Sequence, residues 1–342
     1  MKYHVLGRTG QSVSSLGFGT MNLSQQALDV SKKALNYALD QGINYIDTAS
    51  TYKDSEEIVG ESISHRRHEV FLATKTRKRT FQESKEEIEQ SLRRLKTDYI
   101  DLLQIHYVNY VQEYQQITRE DGALEAVKQA QKEGKVRFIG ITGHRPELLA
   151  RWLQSGHFDT VLFHMSLVQP FALHDLVPFC EQNGIGMIGM KPLSGGFVQP
   201  VQKALRFSHS TPIQVLLSGM KTMEEVKENL EALRTPIETE EKKELWALSA
   251  ELGEHGCRRC NYCSCPLEIR IPDLMISHKA KEKVGLLGHG NHFYQDQSEK
   301  ISQCADYEPC KERPLCEKDC PYHLPIQQTV QSQSKEIISK IF

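Results

Sequence analysis

The sequence predicts an α/β chain, a TIM-type (β/α)8 barrel followed by a small cysteine-rich module. Three observations carry this reading. Eight short apolar runs, each followed by a helix-periodic segment, occupy the first 253 of 342 residues, a fitting length for a barrel of about 250 residues. Several of the runs are continuous Val/Ile/Leu/Phe stretches, as parallel strands buried on both faces should be. Eight of the nine cysteines fall between Cys257 and Cys320, with only Cys180 outside. The expected division is therefore 1–253 for the barrel and 254–342 for the module.

Taken in order, a short hairpin of Tyr3–Leu6 and Val13–Ser15 is expected around Gly7-Arg8-Thr9-Gly10. The expected barrel strands are Leu16–Thr20, Tyr45–Ala49, Val70–Lys75, Tyr99–His106, Val136–Thr142, Thr160–Met165, Ile185–Pro192 and Ile213–Gly219. Helical spacing lies between them, as in Ile88, Leu92 and Leu95, or Val226, Leu230 and Leu233. Leu173, Leu176 and Val177 share a face with Cys180, which reads as core rather than reactive. The competing fold, an open doubly wound sheet, would carry GxGxxG after its first strand. Gly17-Phe18-Gly19-Thr20-Met21 lacks the third glycine, and the motif occurs nowhere else.

Composition narrows the function classes. Lys plus Arg number 42 and Asp plus Glu 44, a formal charge of −2, which argues against nucleic-acid or anionic-membrane partners. No apolar run approaches the roughly 18 residues of a membrane span. Met1-Lys2-Tyr3-His4 does not resemble a secretory signal, so a cytoplasmic protein is expected. In a reducing compartment, clustered cysteines read first as metal ligands.

Barrel chemistry sits at the carboxyl ends of the strands. Three consecutive strands end in Asp47, Lys75 and His106, and Tyr52 follows the first of them. One such residue alone is more often a structural group, but four complementary ones at one rim point to a site. A free phenol, at about pKa 10, is a poor acid at neutral pH. An adjacent ammonium should lower that pKa, and a carboxylate should hold the ammonium charged. An imidazole can orient a substrate carbonyl. The set suits proton donation to an alkoxide formed by hydride transfer, and hydride requires a cofactor.

Gly42-Ile43-Asn44-Tyr45-Ile46-Asp47-Thr48-Ala49, Tyr52, Thr74-Lys75 and Ile105-His106 resemble the aldo-keto reductase family, as do Leu16–Met21 and Asp98–Leu103. The resemblance implies that Tyr52 is the general acid/base, Lys75 lowers its pKa, Asp47 supports Lys75 and His106 orients the carbonyl. It also implies a nicotinamide cofactor, NADP(H) or NAD(H). Contacts are expected from Thr20, Met21 and Asp47, from Thr142 and Gly143, from Met190, Pro192 and Leu193, and from Gly219, Met220, Thr222 and Asn229, the last towards the adenine. Two positions depart from the family: Gly143 stands for an asparagine and Leu162 for a glutamine. Met190, where an aromatic often stacks on the nicotinamide, reads equally well as barrel core. Glu225 would repel a 2′-phosphate and Lys221 would attract one, so the choice between the two nucleotides stays open.

After a helix carrying Leu245, Leu248 and Leu252 comes Cys257-Arg258-Arg259-Cys260-Asn261-Tyr262-Cys263-Ser264-Cys265-Pro266. C-x2-C-x2-C with a distant Cys-Pro is the ferredoxin arrangement. Cys257, Cys260, Cys263 and Cys320 are expected to bind one [4Fe-4S] cluster. A second set, Cys265, Cys304, Cys310 and Cys316, has wider gaps and is open between a second cluster and structural zinc. Residues 277–303, with His289 and His292, read as a polar linker. Gln327–Phe342 reads as a short helix whose Ile337, Ile338 and Ile341 dock on the barrel. The layout resembles the family branch with a C-terminal 4Fe-4S ferredoxin-type domain.

Together the halves imply a nicotinamide-dependent oxidoreductase acting on a small-molecule carbonyl or alcohol, with a one-electron redox protein as a further candidate partner. The alternative is a nucleotide-sensing or electron-transfer protein whose barrel turns over little.

Overall fold

Eight parallel strands close into a barrel in the computed structural model. Residues 1–198, 200–253, 256–283, 296–304, 307–310 and 314–341 are described. An antiparallel hairpin, β1 (Tyr3–Val5) and β2 (Ser12–Ser14), precedes the barrel. The barrel strands are β3 (Leu16–Gly19), β4 (Tyr45–Asp47), β5 (Phe71–Thr76), β6 (Ile100–Ile105), β7 (Val136–Thr142), β8 (Thr160–His164), β9 (Gly186–Met190) and β10 (Val215–Gly219). Each pairs with its sequence neighbour, and β10 closes on β3. All eight expected strands are present, with ends that differ from the expected ones by no more than a few residues, and β5 runs one residue past Lys75 to Thr76.

The helices form for legible reasons. In Phe81–Leu95, Ile88, Leu92 and Leu95 are buried and the opposite face is charged. Lys96 ends it in the left-handed conformation, its N–H bonded to the Leu92 and Arg93 carbonyls. In Met223–Arg234 the buried line is Val226, Asn229 and Ala232, which turns Asn229 inwards and leaves Leu230 and Leu233 half-buried. The helix Leu176–Asn183 buries Cys180 fully, and burial pushes that thiol up to about 12, as a core residue requires.

Alternate residues of the strands fill the barrel. Tyr45, Phe71, Ala73, Leu102, Leu162, Ile188, Val215 and Leu217 form one cluster, joined from the hairpin by Leu6 and Val13. Each large aliphatic side chain so buried contributes about 1.5–3 kcal/mol. Gly17 is required here, since a Cβ on it would lie 2.8 Å from Val215 Cγ1 and 2.9 Å from the Tyr45 ring. The period of two also sets the layer above: from Tyr45, Ala73, Leu102 and Leu162 it leads to Asp47, Lys75, Gln104 and His164. An apolar plug thus supports a polar floor.

Contacts divide the chain into two compact units. The first comprises 1–165, 171–192 and 208–236, and the second 166–170, 193–207 and 237–342. In the second unit, Thr239–Gly253 is helical and buries Leu245 and Leu252. Ile271–Lys283 and residues 296–304 are also helices, which corrects the linker reading on both flanks. The apolar Ile271, Leu274, Met275 and Ile276 are buried and anchor the first. Pro272 is tolerated in its first turn, where no intrahelical N–H is needed. Ile301 anchors the second. His289 and His292 lie outside the described residues. Ile326–Ile341 is helical as expected, but the side chains of Ile337, Ile338 and Ile341 lie outside the described set. No helix among the described residues is long and apolar enough to cross a membrane.

Candidate active site

The strand register brings the expected tetrad together. Asp47 pairs with Ala73 across β4 and β5, and Lys75 pairs with Gln104 across β5 and β6. Lys75 Nζ ion-pairs with Asp47 Oδ1 and donates to the Thr48 carbonyl at 2.6 Å. Gln104 Nε2 donates to the other Asp47 oxygen at 2.9 Å. The Asp47 and Lys75 side chains are 2% and 1% exposed. Charges so deep persist only when compensated, and here each is. Burial pushes the Asp47 carboxyl above its ordinary range, with Lys75 and Gln104 pulling it back. Burial opposes the Lys75 ammonium, yet Asp47 and Tyr52 raise its pKa overall.

Lys75 Nζ lies 4.9 Å from the centroid of the Tyr52 ring. The Tyr52 phenol is raised above 10 by burial and by Asp47, while Lys75 draws it down. This corrects the expected net lowering: Lys75 acts in the expected sense, but burial outweighs it. The His106 ring stands edge-on to Tyr52, centroids 5.8 Å apart, and Thr51 Oγ1 lies 3.5 Å from its Nδ1. Burial, then the nearby Lys75, Arg77, Arg79 and His144, push His106 down to about 2. It is therefore a neutral hydrogen-bonding imidazole across the physiological range.

The expected cofactor residues meet different fates. Thr20 is buried and donates its hydroxyl to the Asp47 carbonyl at 2.9 Å, so it braces the strand end, while Met21 is 57% exposed. Thr142 Oγ1 accepts from Tyr107 N at 2.8 Å and keeps its own proton to donate. Gly143 carries no side chain because a Cβ would sit 2.7 Å from the Val108 carbonyl. Met190 packs, partly buried, on the barrel core. Pro192 belongs to the first unit and Leu193 to the second. Gly219 is exposed, Met220 is buried, and Thr222 caps the next helix by accepting from Glu225 N at 3.3 Å. Asn229 donates to the Glu225 carbonyl at 2.8 Å, and its Oδ1 is buried without a partner. Glu225 turns back on its own loop, accepting from Lys221 N at 2.8 Å.

Sequence reading missed Gln104, although Leu102, Gln104 and His106 alternate towards one face and that period could have found it. It also missed the frame around His106. Arg79 Nη2 donates to the His106 and Tyr107 carbonyls at 2.9 and 3.1 Å and pairs with Glu113 at 3.2 Å. Tyr107 is left-handed, with φ 57°, and its ring meets His144 edge-on at 4.7 Å. His144 in turn lies 4.1 Å from His164, centroid to centroid.

All nine cysteines are free thiols. Cys257, Cys260, Cys263 and Cys320 line one cavity, together with Ile271 and Met275. Burial, with the neighbouring cysteines adding to it, pushes Cys257 up to about 12 and Cys263 up to about 11. The other four also interact: Cys265, Cys304 and Cys310 all act on Cys316, whose thiol is pushed up to about 12 by burial first. Cys304 and Cys310 share a hydrogen bond. Among the described residues no three Cys, His, Asp or Glu side chains gather to hold a single metal ion.

Comparison with known proteins agrees with the barrel geometry. The aldo/keto reductase family model matches residues 15–203, more than half of the chain. The oxidoreductase YqkF of Bacillus subtilis (strain 168) is 30% identical over 251 residues, covering 67% of this chain and 79% of that protein. Methylglyoxal reductase DkgB of Escherichia coli O157:H7 is 27% identical over 257 residues, 69% of this chain and 93% of its own. An aldo-keto reductase from Klebsiella pneumoniae, solved in complex with NADPH, superposes with a TM-score of 0.63 at 26% identity, over 73% of this chain and 95% of that one. With the family pattern matched, the eight strands closed and Asp47, Tyr52, Lys75 and His106 gathered at one rim, the chain belongs to the aldo/keto reductase family of oxidoreductases.

Proposed function

We propose that the protein is a cytoplasmic, NADP(H)- or NAD(H)-dependent reductase interconverting a small-molecule carbonyl and its alcohol, with Tyr52 as general acid/base. The convergence of Tyr52 and His106 on a buried, charge-matched Lys75–Asp47 pair held by Gln104 carries this reading. Asn229, Thr142 and the Gly219–Thr222 turn would hold the nucleotide. The buried, unpartnered Asn229 Oδ1 fits an adenine amino donor, and the Klebsiella pneumoniae relative was solved with NADPH. When bound, the nicotinamide supplies the hydride that no side chain can.

His106, uncharged, donates a hydrogen bond to the substrate carbonyl and fixes its direction. Tyr52 gives its phenolic proton to the carbonyl oxygen as that oxygen gains charge, and the Lys75 ammonium stabilises the phenolate left behind. Asp47 and Gln104 position Lys75. In the oxidative direction the phenolate takes the hydroxyl proton back. Tyr52→Phe should lower kcat by about 10²–10⁴-fold while nucleotide binding, read by fluorescence titration, stays intact. Unchanged turnover would falsify the mechanism.

The same proposal gives Cys257, Cys260, Cys263 and Cys320 to one [4Fe-4S] cluster and Cys265, Cys304, Cys310 and Cys316 to a second. Soft cysteine donors around an apolar cavity fit iron–sulfur ligation, and thiols whose ionisation is disfavoured by burial and by their neighbours would lose their protons readily only to a bound metal. A lone ion needs its ligands about one point, whereas a cluster lets each cysteine bind a different iron. Such clusters, when bound, pass single electrons, which makes a one-electron redox protein a fitting partner. Anaerobic purification with iron and sulfide analysis tests this: about eight iron atoms per chain are expected for two clusters and about four for one. Zinc in their place would overturn it.

A further inference from the structure

The loop after β5 reads Arg77-Lys78-Arg79, three cations directly above the catalytic floor. Two of them are engaged with carboxylates. Lys78 lies 3.9 Å from Glu83, and Arg79 is bound to Glu113 and to the His106 and Tyr107 carbonyls. The second Glu113 oxygen accepts from Asn109 N and Tyr110 N, which ties Glu113 to its own loop. Arg77 is exposed, and among the described residues no carboxylate lies within ion-pair reach of it. Its guanidinium rests instead over the Tyr107 ring, 5.1 Å from the centroid.

Two features make this cation part of the rim rather than of the general surface. The two-residue period of β5 puts Arg77 on the same side as Lys75. Tyr107, on which it rests, directly follows His106 and is pinned left-handed by its N–H to Thr142 and its carbonyl to Arg79. Arg77 is also among the charges that act on the His106 ring. A guanidinium held over an aromatic face by a cation–π contact still has N–H donors for a bidentate anion.

We infer that Arg77 is a specificity residue that selects carbonyl substrates bearing a carboxylate or comparable anionic group near the reacting carbon. The inference rests on the reductase reading above and narrows it to acidic aldehydes and ketones. Arg77 holds the anion while His106 holds the carbonyl, and the distance between them selects chain length.

The experiment compares succinic semialdehyde with butyraldehyde, which differ chiefly in the terminal carboxylate. It uses the full-length protein and its Arg77→Ala, Arg77→Lys and Lys78→Ala variants. The wild-type ratio of kcat/KM, acid over neutral, should fall about tenfold in Arg77→Ala, mainly through KM, and recover in part in Arg77→Lys. Lys78→Ala should leave it unchanged. Calorimetry of 4-hydroxybutyrate against 4-hydroxybutyramide gives a readout independent of turnover, and the preference for the acid should vanish in Arg77→Ala. An unchanged ratio, or equal binding of acid and amide by the wild type, would overturn the inference. Absence of turnover with both aldehydes would count against the reductase reading, while the calorimetry would still decide the role of Arg77.

Discussion

The barrel floor and the cysteine cavity both bury ionisable groups, but they balance them differently. At the floor every charge has a counterpart within the chain: Asp47 has Lys75 and Gln104, and Lys75 has Asp47 and the Thr48 carbonyl. In the cavity, burial first and then neighbouring cysteines push the Cys257 and Cys263 thiols up. A site that is complete on its own can be read from one chain's geometry. The cysteine cavity gathers four like donors, with Arg258 and Asn261 also on its lining, and its chemistry is the part that has to be tested.

The sharpest way to break this contrast is to uncouple the floor. Lys75→Met leaves Asp47 buried without its cation, and breaking such a pair costs about 3–5 kcal/mol. Urea unfolding should show that loss, and turnover should vanish with it. The double variant Asp47→Leu, Lys75→Met should regain much of the stability and none of the activity. A single variant as stable as the wild type would mean that the pair is not compensated as described.

In the cysteine unit the corresponding change removes a donor rather than a counterion. Cys257→Ser should lower the iron content of the anaerobic protein by about half if two clusters are present. The visible absorption should fall in proportion. Replacing Cys180, a core thiol far from any cysteine cavity in sequence, should leave the iron content unchanged. Equal iron in Cys257→Ser would remove that residue from the ligand set.

How far these regions could be read in advance follows the same line. The strands were legible because burial on both faces makes them continuous apolar runs, and Asp47, Lys75 and His106 stand out as the polar residues that end them. Gln104 was harder, a single amide inside an apolar run, found only by counting alternate positions. The Arg77–Tyr107 contact had no signal at all, because it depends on a left-handed turn at a residue that rarely takes one. The sign of the Tyr52 shift was misjudged for a related reason: the sequence shows Lys75 as a neighbour but not the depth at which both lie. The helix at Ile271–Lys283 was hidden by its polar second half.

A smaller effect tests the nucleotide side of the floor. Asn229→Ala should weaken nucleotide binding about tenfold, the value of one well-buried hydrogen bond to a polar ligand atom. Fluorescence titration reads this directly. Because Asn229 also donates to the Glu225 carbonyl, Asn229→Asp is the better control: its carboxylate keeps an acceptor but loses that donor. If both variants bind as the wild type does, the buried Oδ1 is not an adenine contact.

The smallest expected effect is a flat line. Tyr52, the proposed proton donor, has its phenol pKa raised above 10, so the protonated form persists as pH rises through neutrality and is lost only beyond that value. His106, pushed down to about 2, does not titrate in the same range. The rate of carbonyl reduction at saturating substrate should therefore change less than about twofold between pH 6 and 9. Alcohol oxidation, which needs the phenolate, should climb over the same interval. A reduction rate that falls through pH 7 would show that Lys75 wins over burial once substrate and nucleotide are in place, and that the floor is then retuned by what binds above it.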